Sequence, residues 1–446
     1  MLSGGIGKMD DLFNSVILSA DGNDIDNAYN YAKKVYESYG VNTEEVLKKM
    51  EDIKVSIHCW QGDDVTGFEK GVEGLSGGGI MATGNYPGRA RNGDELRQDI
   101  KKALSLVPGK HKVNLHAIYA ETENNIYADR DEIDVSHFAK WIEWAKKEGI
   151  GLDFNPTFFS HKMADSGFTL SSKDNNVRSF WIRHAKKCRK IASEIGRQLG
   201  TPCVNNIWIP DGMKDLPADR LSYRLILRDS LDDIFSEKYN ESHIKDSVES
   251  KLFGIGSESY VVGSHEFYMG YALSRNVMLC LDTGHFHPTE SIADKISSLL
   301  TFQNKLLLHI SRGVRWDSDH VALLNDEVLS IAQEVKRADS FDKVYFALDF
   351  FDASINRITA WVIGARAVLK AIMFALLEPT ELIKEQELKG NFGNRLALME
   401  EVKTLPFSAV WDKYCNLNKI PHGAEWLRDV KVYEEEVLLK RIGVVK

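Results

Sequence analysis

Short apolar runs alternate with longer helical patterns along most of the chain. Segments 135–148 and 176–200 carry apolar residues at the spacing of an amphipathic helix. The apolar runs number eight and begin near Val55, Val113, Gly151, Pro202, Val248, Val277, Lys305 and Val344. Near-continuous apolar runs are typical of parallel strands covered on both faces. Repeated strand-plus-helix units predict an α/β fold, a (β/α)8 TIM barrel, with an open doubly wound sheet as the main alternative.

The same pattern predicts three regions. Residues 1–24 form an N-terminal extension, residues 25–360 form the barrel domain, and residues 361–446 form additional C-terminal helices that close the barrel and supply an oligomerisation arm. The most apolar stretch, 360–377, contains Arg366 and Lys370, which favours a buried helix over a membrane span. Segment 71–93 is rich in glycine and is either a mobile lid over the barrel mouth or an ordinary long loop.

Composition narrows the classes of function. The 446 residues are 43% hydrophobic and 27% charged, with a net charge of −9. Because no basic stripe is present, neither a nucleic acid nor a membrane surface is an expected partner. Five widely spaced cysteines without a CxxC pair indicate reduced structural thiols. Together with the lack of a signal-peptide pattern, they predict a cytoplasmic protein.

Candidate metal ligands follow the last four apolar runs. In a barrel, side chains at the carboxyl ends of the strands line the active site. The residues of ligand type at these ends are Glu249, Asp282, His285, His309, Asp317, Asp319 and Asp349. Buried carboxylates repel one another unless a cation joins them, and no cysteine is expected among these residues, so Mn²⁺, Zn²⁺, Co²⁺ or Mg²⁺ are the metals predicted.

The ligands are numerous enough for two divalent sites. One site takes Glu249, Asp282, His309 and Asp349, and the other takes His285, Asp317 and Asp319. Taken singly, each residue could instead be a hydrogen-bonded or capping group, and Asp317 and Asp319 could cap the following helix. Lys251 stands two positions after Glu249 and is expected on the same face of one strand.

Aromatic and polar residues mark the ends of the other strands. Rings beside polar groups suit a polyhydroxylated ligand, whose C–H faces stack and whose hydroxyls need hydrogen-bond partners. The candidate substrate contacts are His58, Trp60, His116, Trp208 and Asp352. The tryptophans and histidines could equally belong to the core. No GxSxG or HExxH motif supports acyl transfer or zincin chemistry.

Several long motifs resemble the L-rhamnose isomerase family, among them HCWQGDDVTGFE (58–69), ESKLFGIGSESY (249–260), LDTGHFHPTE (281–290) and VRWDSDH (314–320). The resemblance extends from about residue 25 to the C-terminus, although Gly313 stands where the family pattern has proline. It implies a cytoplasmic, homotetrameric aldose–ketose isomerase that interconverts L-rhamnose and L-rhamnulose. It also implies manganese on His285, Asp317 and Asp319, and a structural metal on Glu249, Asp282, His309 and Asp349.

The implied reaction is a metal-assisted hydride shift between C1 and C2 of the open-chain sugar. Asp319 or a metal-bound water would move protons between the two oxygens, and Lys251 would stabilise the developing alkoxide. Asp317 is a further candidate catalytic residue. An enediol route with a carboxylate base stays open. So do two other functions: a related metal-dependent isomerase or epimerase acting on another aldose, and a sugar-binding protein without turnover.

Overall fold

The computed structural model of the chain describes residues 22–62, 65, 67–69, 84–122, 128–252, 259–314 and 319–442. The strands are β1 (Val55–His58), β2 (Lys112–His116), β3 (Gly151–Asn155), β4 (Cys203–Ile207), β5 (Gly212–Met213), β6 (Ile244–Glu249), β7 (Tyr260–Val261), β8 (Met278–Asp282), β9 (Leu306–Ile310) and β10 (Val344–Leu348). Eight of them close into a barrel in the order β1-β10-β9-β8-β6-β4-β3-β2. All neighbouring pairs are parallel, which confirms the predicted barrel over the open sheet.

Helices alternate with the strands and continue beyond the last one. They are α1 (Gly22–Ser38), α2 (Thr43–Asp52), α3 (Gly93–Leu104), α4 (Ala139–Glu148), α5 (Asn175–Leu199), α6 (Arg220–Ile234), α7 (His265–Arg275), α8 (Ile292–Leu300), α9 (Asp326–Arg337), α10 (Arg357–Leu376), α11 (Thr380–Leu388), α12 (Phe392–Glu401), α13 (Phe407–Leu417) and α14 (Trp426–Tyr433). Local sequence explains several boundaries. Asn92 caps α3 by accepting a hydrogen bond from the Glu95 amide at 3.0 Å, and α5 ends at Gly200 with a left-handed φ of 66°.

The fifth apolar run differs from its predicted position. It was expected to begin at Val248, whereas β6 spans Ile244–Glu249 and thus ends only one residue after Val248. Lys245 and Asp246 interrupt the apolar pattern of the strand. The strand accommodates them because their charges are paired: Lys245 with Glu241 at 2.5 Å, and Asp246 with Arg189 at 2.8 Å. Lys251 therefore lies beyond the strand rather than on one face of it with Glu249.

Two apolar layers surround the strands. The larger one lies between the strands and the helices and contains the fully buried side chains of Trp141, Trp181 and Trp361. A small inner cluster of Val204, Met278, Cys280, Leu307 and Ala347 fills the barrel interior. The polar strand ends lie one layer above this inner cluster, because alternate residues of each strand point into the barrel.

Helix α10 is long and apolar enough to cross a membrane, but 78% of its apolar window is buried inside the protein. It packs against β1 and against helices α3 and α9, as the prediction of a buried helix requires. It also spans residue 360, the predicted boundary between the barrel and the C-terminal helices. Those domain limits stay a prediction.

Parts of two other predictions lie outside the described residues. They are residues 1–21 of the N-terminal extension and residues 71–83 of the glycine-rich segment, so the lid stays a prediction. Helix α1 already begins at Gly22, inside the predicted extension. All five cysteines are free and buried, which confirms that they are structural thiols.

Candidate active site

The carboxyl ends of β6, β8, β9 and β10 bring four predicted ligands together. Strand pairing places Asp282 opposite His309, and Glu249 and Asp282 are the last residues of their strands. One ligand-type atom from each of four residues lies within 4.8 Å of the others, and these residues are Glu249, Asp282, His309 and Asp349. This first group is the set that strand-end position predicted.

His309 lies at the centre of the first group. Its Nδ1 is 3.1 Å from Asp349 Oδ2, 3.2 Å from Glu249 Oε2 and 3.8 Å from Asp282 Oδ2. Asn206 Nδ2 also donates to Glu249 Oε2. By contrast, Asp282 Oδ2 and Asp349 Oδ1 are buried and have no hydrogen-bond partner among the described residues. Because buried carboxylate oxygens are costly without a partner, these two atoms fit a bound cation.

A second group adjoins the first. Asp282, His285 and Asp319 also bring ligand-type atoms within 4.8 Å of one another. His285 Nδ1 lies 2.9 Å from the Ser250 carbonyl and 3.0 Å from Glu249 Oε1, and contacts of this kind orient the imidazole of a metal-binding histidine. Asp317, the third ligand predicted here, lies outside the described residues and stays a prediction. Asp282 is common to both groups, so the two candidate sites are contiguous.

Electrostatics in this cluster couple metal binding to protons. Burial raises the pKa of Asp282 well above its usual range, and the negative charges of Asp319, Glu249 and Asp349 act in the same direction. Burial also opposes ionisation of Glu249, but the neighbouring His309 and His285 hold the pKa of that carboxyl well below its usual range. A divalent cation would replace this shared positive charge, so binding is expected to release protons.

One cysteine lies beside the first group, so the expectation that none would do so is wrong. Cys280, Glu249 and His309 also bring ligand-type atoms within 4.8 Å of one another. Cys280 precedes the end of its strand by two residues and therefore points into the barrel on the same side as Asp282. Burial raises the pKa of the Cys280 thiol well above its usual range. The carboxylate and imidazole residues Glu249, Asp282, His309 and Asp349 form a four-residue group without this thiol.

Asp319 is held in an unusual backbone conformation. Its φ is +30°, its carbonyl accepts a hydrogen bond from the Phe351 amide at 2.8 Å, and Ser311 Oγ donates to its Oδ1 at 3.3 Å. Gly284 lies directly against this carboxylate, since a Cβ at residue 284 would be 1.9 Å from Asp319 Oδ1. A side chain at residue 284 would therefore overlap the position of this carboxylate.

A cavity opens beside both groups, and the empty space within it and at its solvent-filled mouth is about 440 Å³. Its lining residues are Val65, His116, Asn155, Pro156, Phe159, Trp208, Glu249, Lys251, His285, Asp319, Asp349 and Phe351. The sequence pattern did not single out Val65, which stands in the polar stretch GDDVTG, or Phe159 and Phe351, which resemble core residues. Phe351 could have been found from its position two residues after Asp349. An aromatic wall facing carboxylates and imidazoles matches the surface expected for a small polyhydroxylated ligand.

Three predicted cavity residues have defined partners. His116 Nδ1 lies 3.1 Å from Thr157 Oγ1, and burial lowers the pKa of His116 to about 3, so its imidazole is neutral. Lys251 Nζ lies 5.0 Å from the centre of the Trp208 ring, within range of a cation–π contact. The cavity thus has a cation and two rings on the side of β2 and β4.

The structure places the other predicted substrate contacts behind or beside the cavity. His58 is buried with its ring 4.4 Å from Phe350 and 4.7 Å from Trp60, and Trp60 is stacked on Phe351 at 6.0 Å. Asp352 accepts a hydrogen bond from the Ser354 amide at 2.8 Å and thereby shapes a turn. Contacts from His58, Trp60 and Asp352 to a sugar stay predictions, and the alternative core role of His58 matches its surroundings.

Fold and site together define a (β/α)8-barrel protein with a candidate divalent-metal centre beside a small cavity walled by aromatic side chains. Comparison with known proteins makes the assignment specific. The family model of L-rhamnose isomerase (RhaA) matches residues 23–441, so the chain belongs to the L-rhamnose isomerase family. This membership confirms the predicted resemblance and the enzyme class, an aldose–ketose isomerase.

Curated relatives agree over nearly the whole chain. An L-rhamnose isomerase of Rhodopirellula baltica is 55% identical over 417 residues, covering 94% of this chain and 97% of the relative. One of Listeria monocytogenes is 53% identical over 418 residues, covering 94% of this chain and 99% of the relative. Among solved structures, an L-ribulose 3-epimerase aligns with a TM-score of 0.46 at 10% identity, covering 74% of this chain and 98% of that one.

Proposed function

We propose that the protein interconverts L-rhamnose and L-rhamnulose by moving hydrogen between C1 and C2 of the open-chain sugar. The single observation that carries this proposal is the pair of contiguous ligand groups at the strand ends, joined through Asp282, beside a cavity with an aromatic wall. An aldose–ketose isomerase needs this combination, because it must hold two neighbouring sugar oxygens and exclude water from the carbons between which hydrogen moves.

The ligand groups fit two divalent metal ions. The structural ion would be held by Glu249, Asp282, His309 and Asp349, and the catalytic ion by His285, Asp319 and the predicted ligand Asp317. Carboxylate and imidazole ligands suit Mn²⁺, which we propose as the cofactor, and would also accept Zn²⁺, Co²⁺ or Mg²⁺. When bound, such ions polarise a sugar carbonyl and lower the pKa of a sugar hydroxyl.

The chain's own residues supply proton transfer and orientation. In the aldose-to-ketose direction, hydrogen moves as hydride from C2 to C1, and a proton must pass from O2 to O1. Asp319 is buried at the cavity and carries that proton, while Lys251 stabilises negative charge on the sugar oxygens. Trp208 and Phe159, whose rings lie 5.7 Å apart, cover the apolar face of the sugar.

Isotope transfer tests the route. With C1-deuterated L-rhamnulose as substrate, direct transfer predicts L-rhamnose that retains deuterium at C2 with no exchange into water. Loss of the label to solvent would favour the enediol route.

An Asp319→Asn variant is expected to lose turnover by about a hundredfold or more, since proton transfer by a positioned group contributes at least that factor. Full turnover in that variant would remove Asp319 from the proposed role.

L-rhamnose itself is the finer part of the proposal. A related isomerase or epimerase acting on another aldose would share the metal centre and differ in the cavity wall. Initial rates with L-rhamnose, L-mannose, L-lyxose and D-allose, measured at equal concentration, separate the two. The proposal expects L-rhamnose to give the highest kcat/KM, and a higher value for another aldose would replace it as the substrate.

Assembly and location complete the proposal. We propose a homotetramer, supported by helix α12, on which no residue is buried and Phe392 and Leu396 are 59% and 63% exposed. Apolar side chains exposed on one helix are typical of a protein–protein interface. Light scattering at a known concentration tests the tetramer, and a monomer mass would contradict it. Five free cysteines support a cytoplasmic location.

A further inference from the structure

The C-terminal end of the chain converges on one buried carboxylate. Asp99, on helix α3, is fully buried and accepts hydrogen bonds from three different parts of the chain. Arg441 donates twice at 2.8 Å, Tyr433 donates through its hydroxyl at 2.7 Å, and Gln61 donates through its amide at 2.8 Å. Gln61 lies just after β1, at the end of the barrel that carries the candidate active site. Asp99 therefore joins the C-terminus to the rim of that site.

The last turn of the described chain, residues 438–441, contacts segment 84–90. Arg441 donates to the Gly88 carbonyl at 2.9 Å, and Gln61 Oε1 accepts from the Ala90 amide at 2.9 Å. Gly88 has a φ of +81°, and a Cβ there would lie 2.6 Å from Leu438. Close approach of the two backbones thus requires glycine at residue 88. The segment is packed directly against the C-terminal turn.

The other side of segment 84–90 contacts the loop after β10. The Tyr86 amide donates to the Ala353 carbonyl at 2.7 Å, and Arg357 donates to the Pro87 carbonyl at 2.7 Å and to the Gln61 carbonyl at 3.0 Å. The loop after β10 also contains Phe351, which lines the cavity. A continuous set of hydrogen bonds therefore runs from the C-terminus through segment 84–90 to the cavity wall.

We propose that Asp99 and Arg441 are positioning residues for the isomerase reaction, which hold the rim of the cavity ready for the sugar although neither of them lines it. This inference rests on the proposed function. The physical reason is that each contact left unmade in the free protein must be ordered when the sugar binds, which weakens apparent affinity. The effect is expected chiefly on KM, because the metal ligands are held by their own strands.

The test compares two arginines that each pair with a fully buried carboxylate; the Arg441 side chain is 5% exposed and that of Arg337 is 29% exposed. Arg441→Gln removes the bidentate pair with Asp99. Arg337→Gln removes a similar pair, in which Arg337 donates to the buried carboxylate of Glu378 at 2.9 and 2.6 Å between α9 and the end of α10. Loss of a charged hydrogen bond at Arg441 is expected to raise KM for L-rhamnose about tenfold, with metal content unchanged. Arg337→Gln is expected to lower the melting temperature and leave KM unchanged.

Hydrogen–deuterium exchange gives a readout that does not need turnover. Amides of segment 84–92 are expected to exchange faster in Arg441→Gln and at the wild-type rate in Arg337→Gln. Tyr433→Phe, which removes one hydrogen bond to Asp99, is the milder second variant, and Arg441→Lys is expected to recover part of the lost affinity. An unchanged KM in Arg441→Gln, or equal rises in KM in both arginine variants, would overturn the proposal. A wild-type protein without turnover would instead refute the proposed function.

Discussion

A Gly284→Ala substitution tests how tightly the site holds Asp319. The added Cβ would lie 1.9 Å from Asp319 Oδ1, 3.1 Å from its Cγ and 3.0 Å from Ser311 Oγ. Contacts between a carbon and an oxygen are not sustained at such a distance, so the carboxylate must move by about an ångström, and a shift of that size in a reacting group costs roughly a hundredfold in rate. We therefore expect kcat to fall by about that factor.

Hydrogen bonds restrain both the Asp319 backbone and the Ser311 side chain that contacts its carboxylate. Asp319 has its carbonyl fixed by the Phe351 amide at 2.8 Å, and Ser311, which donates to its carboxylate, is itself fixed by Thr283. Thr283 Oγ1 donates to the Ser311 carbonyl at 2.9 Å and accepts from the Ser311 amide at 2.8 Å. The carboxylate cannot follow a shift of Ser311, so the clash is expected to displace Asp319 alone.

The assay is the initial rate of ketose formation at saturating L-rhamnose and Mn²⁺, with the melting temperature measured alongside. Gly270→Ala is the matched control, because Gly270 lies on α7 and a Cβ there meets nothing within 4 Å. That control is expected to keep its activity and to gain up to about 1 kcal/mol of stability from the better helix former. Wild-type kcat in a folded Gly284→Ala protein would refute the reasoning.

Two further predictions concern stability. Burial lowers the pKa of His184 to about 3 and that of His111 to about 4, so below pH 6.5 the unfolded chain binds protons that the folded protein does not. Between urea titrations at pH 7 and pH 5, the free energy of unfolding is expected to fall by about 1.4 kcal/mol per histidine for each pH unit below 6.5, or about 2 kcal/mol per histidine in all. A His184→Asn variant with an undiminished slope would contradict this. Lys112→Met leaves buried Asp153 without its ammonium partner at 2.5 Å and is expected to cost about 3 to 5 kcal/mol. Lys33→Met removes a pair with the exposed carboxylate of Glu44 and is expected to cost far less, and equal losses in urea titrations would refute the distinction.

The barrel and the first group of candidate metal ligands were predictable because both follow from local patterns. Near-continuous apolar runs identify parallel strands, and the carboxyl ends of parallel strands must meet at one rim. That is why Glu249, Asp282, His309 and Asp349 could be grouped from sequence position. The start of β6 could not, because Lys245 and Asp246 owe their place in a strand to charged partners outside it: Glu241 in the turn before the strand and Arg189 on α5.

Side-chain direction and distant contacts were beyond the sequence pattern. The double use of Asp282 depends on how far one carboxylate reaches between two strands. The buried position of His58 depends on the rings of Phe350 and Trp361, which come from the far end of the barrel sequence. Asp99 and Arg441 are separated by 342 residues, and no periodicity connects them.

The proposed function requires the strand-end cluster to be a metal centre that isomerises L-rhamnose. Its most direct test is ketose formation from L-rhamnose by EDTA-treated protein, before and after addition of Mn²⁺. We expect negligible turnover in the stripped protein, recovery with Mn²⁺, and no recovery in an Asp282→Asn variant, because the Asp282 carboxylate belongs to both ligand groups. Full turnover without metal, or recovery in Asp282→Asn equal to wild type, would contradict it.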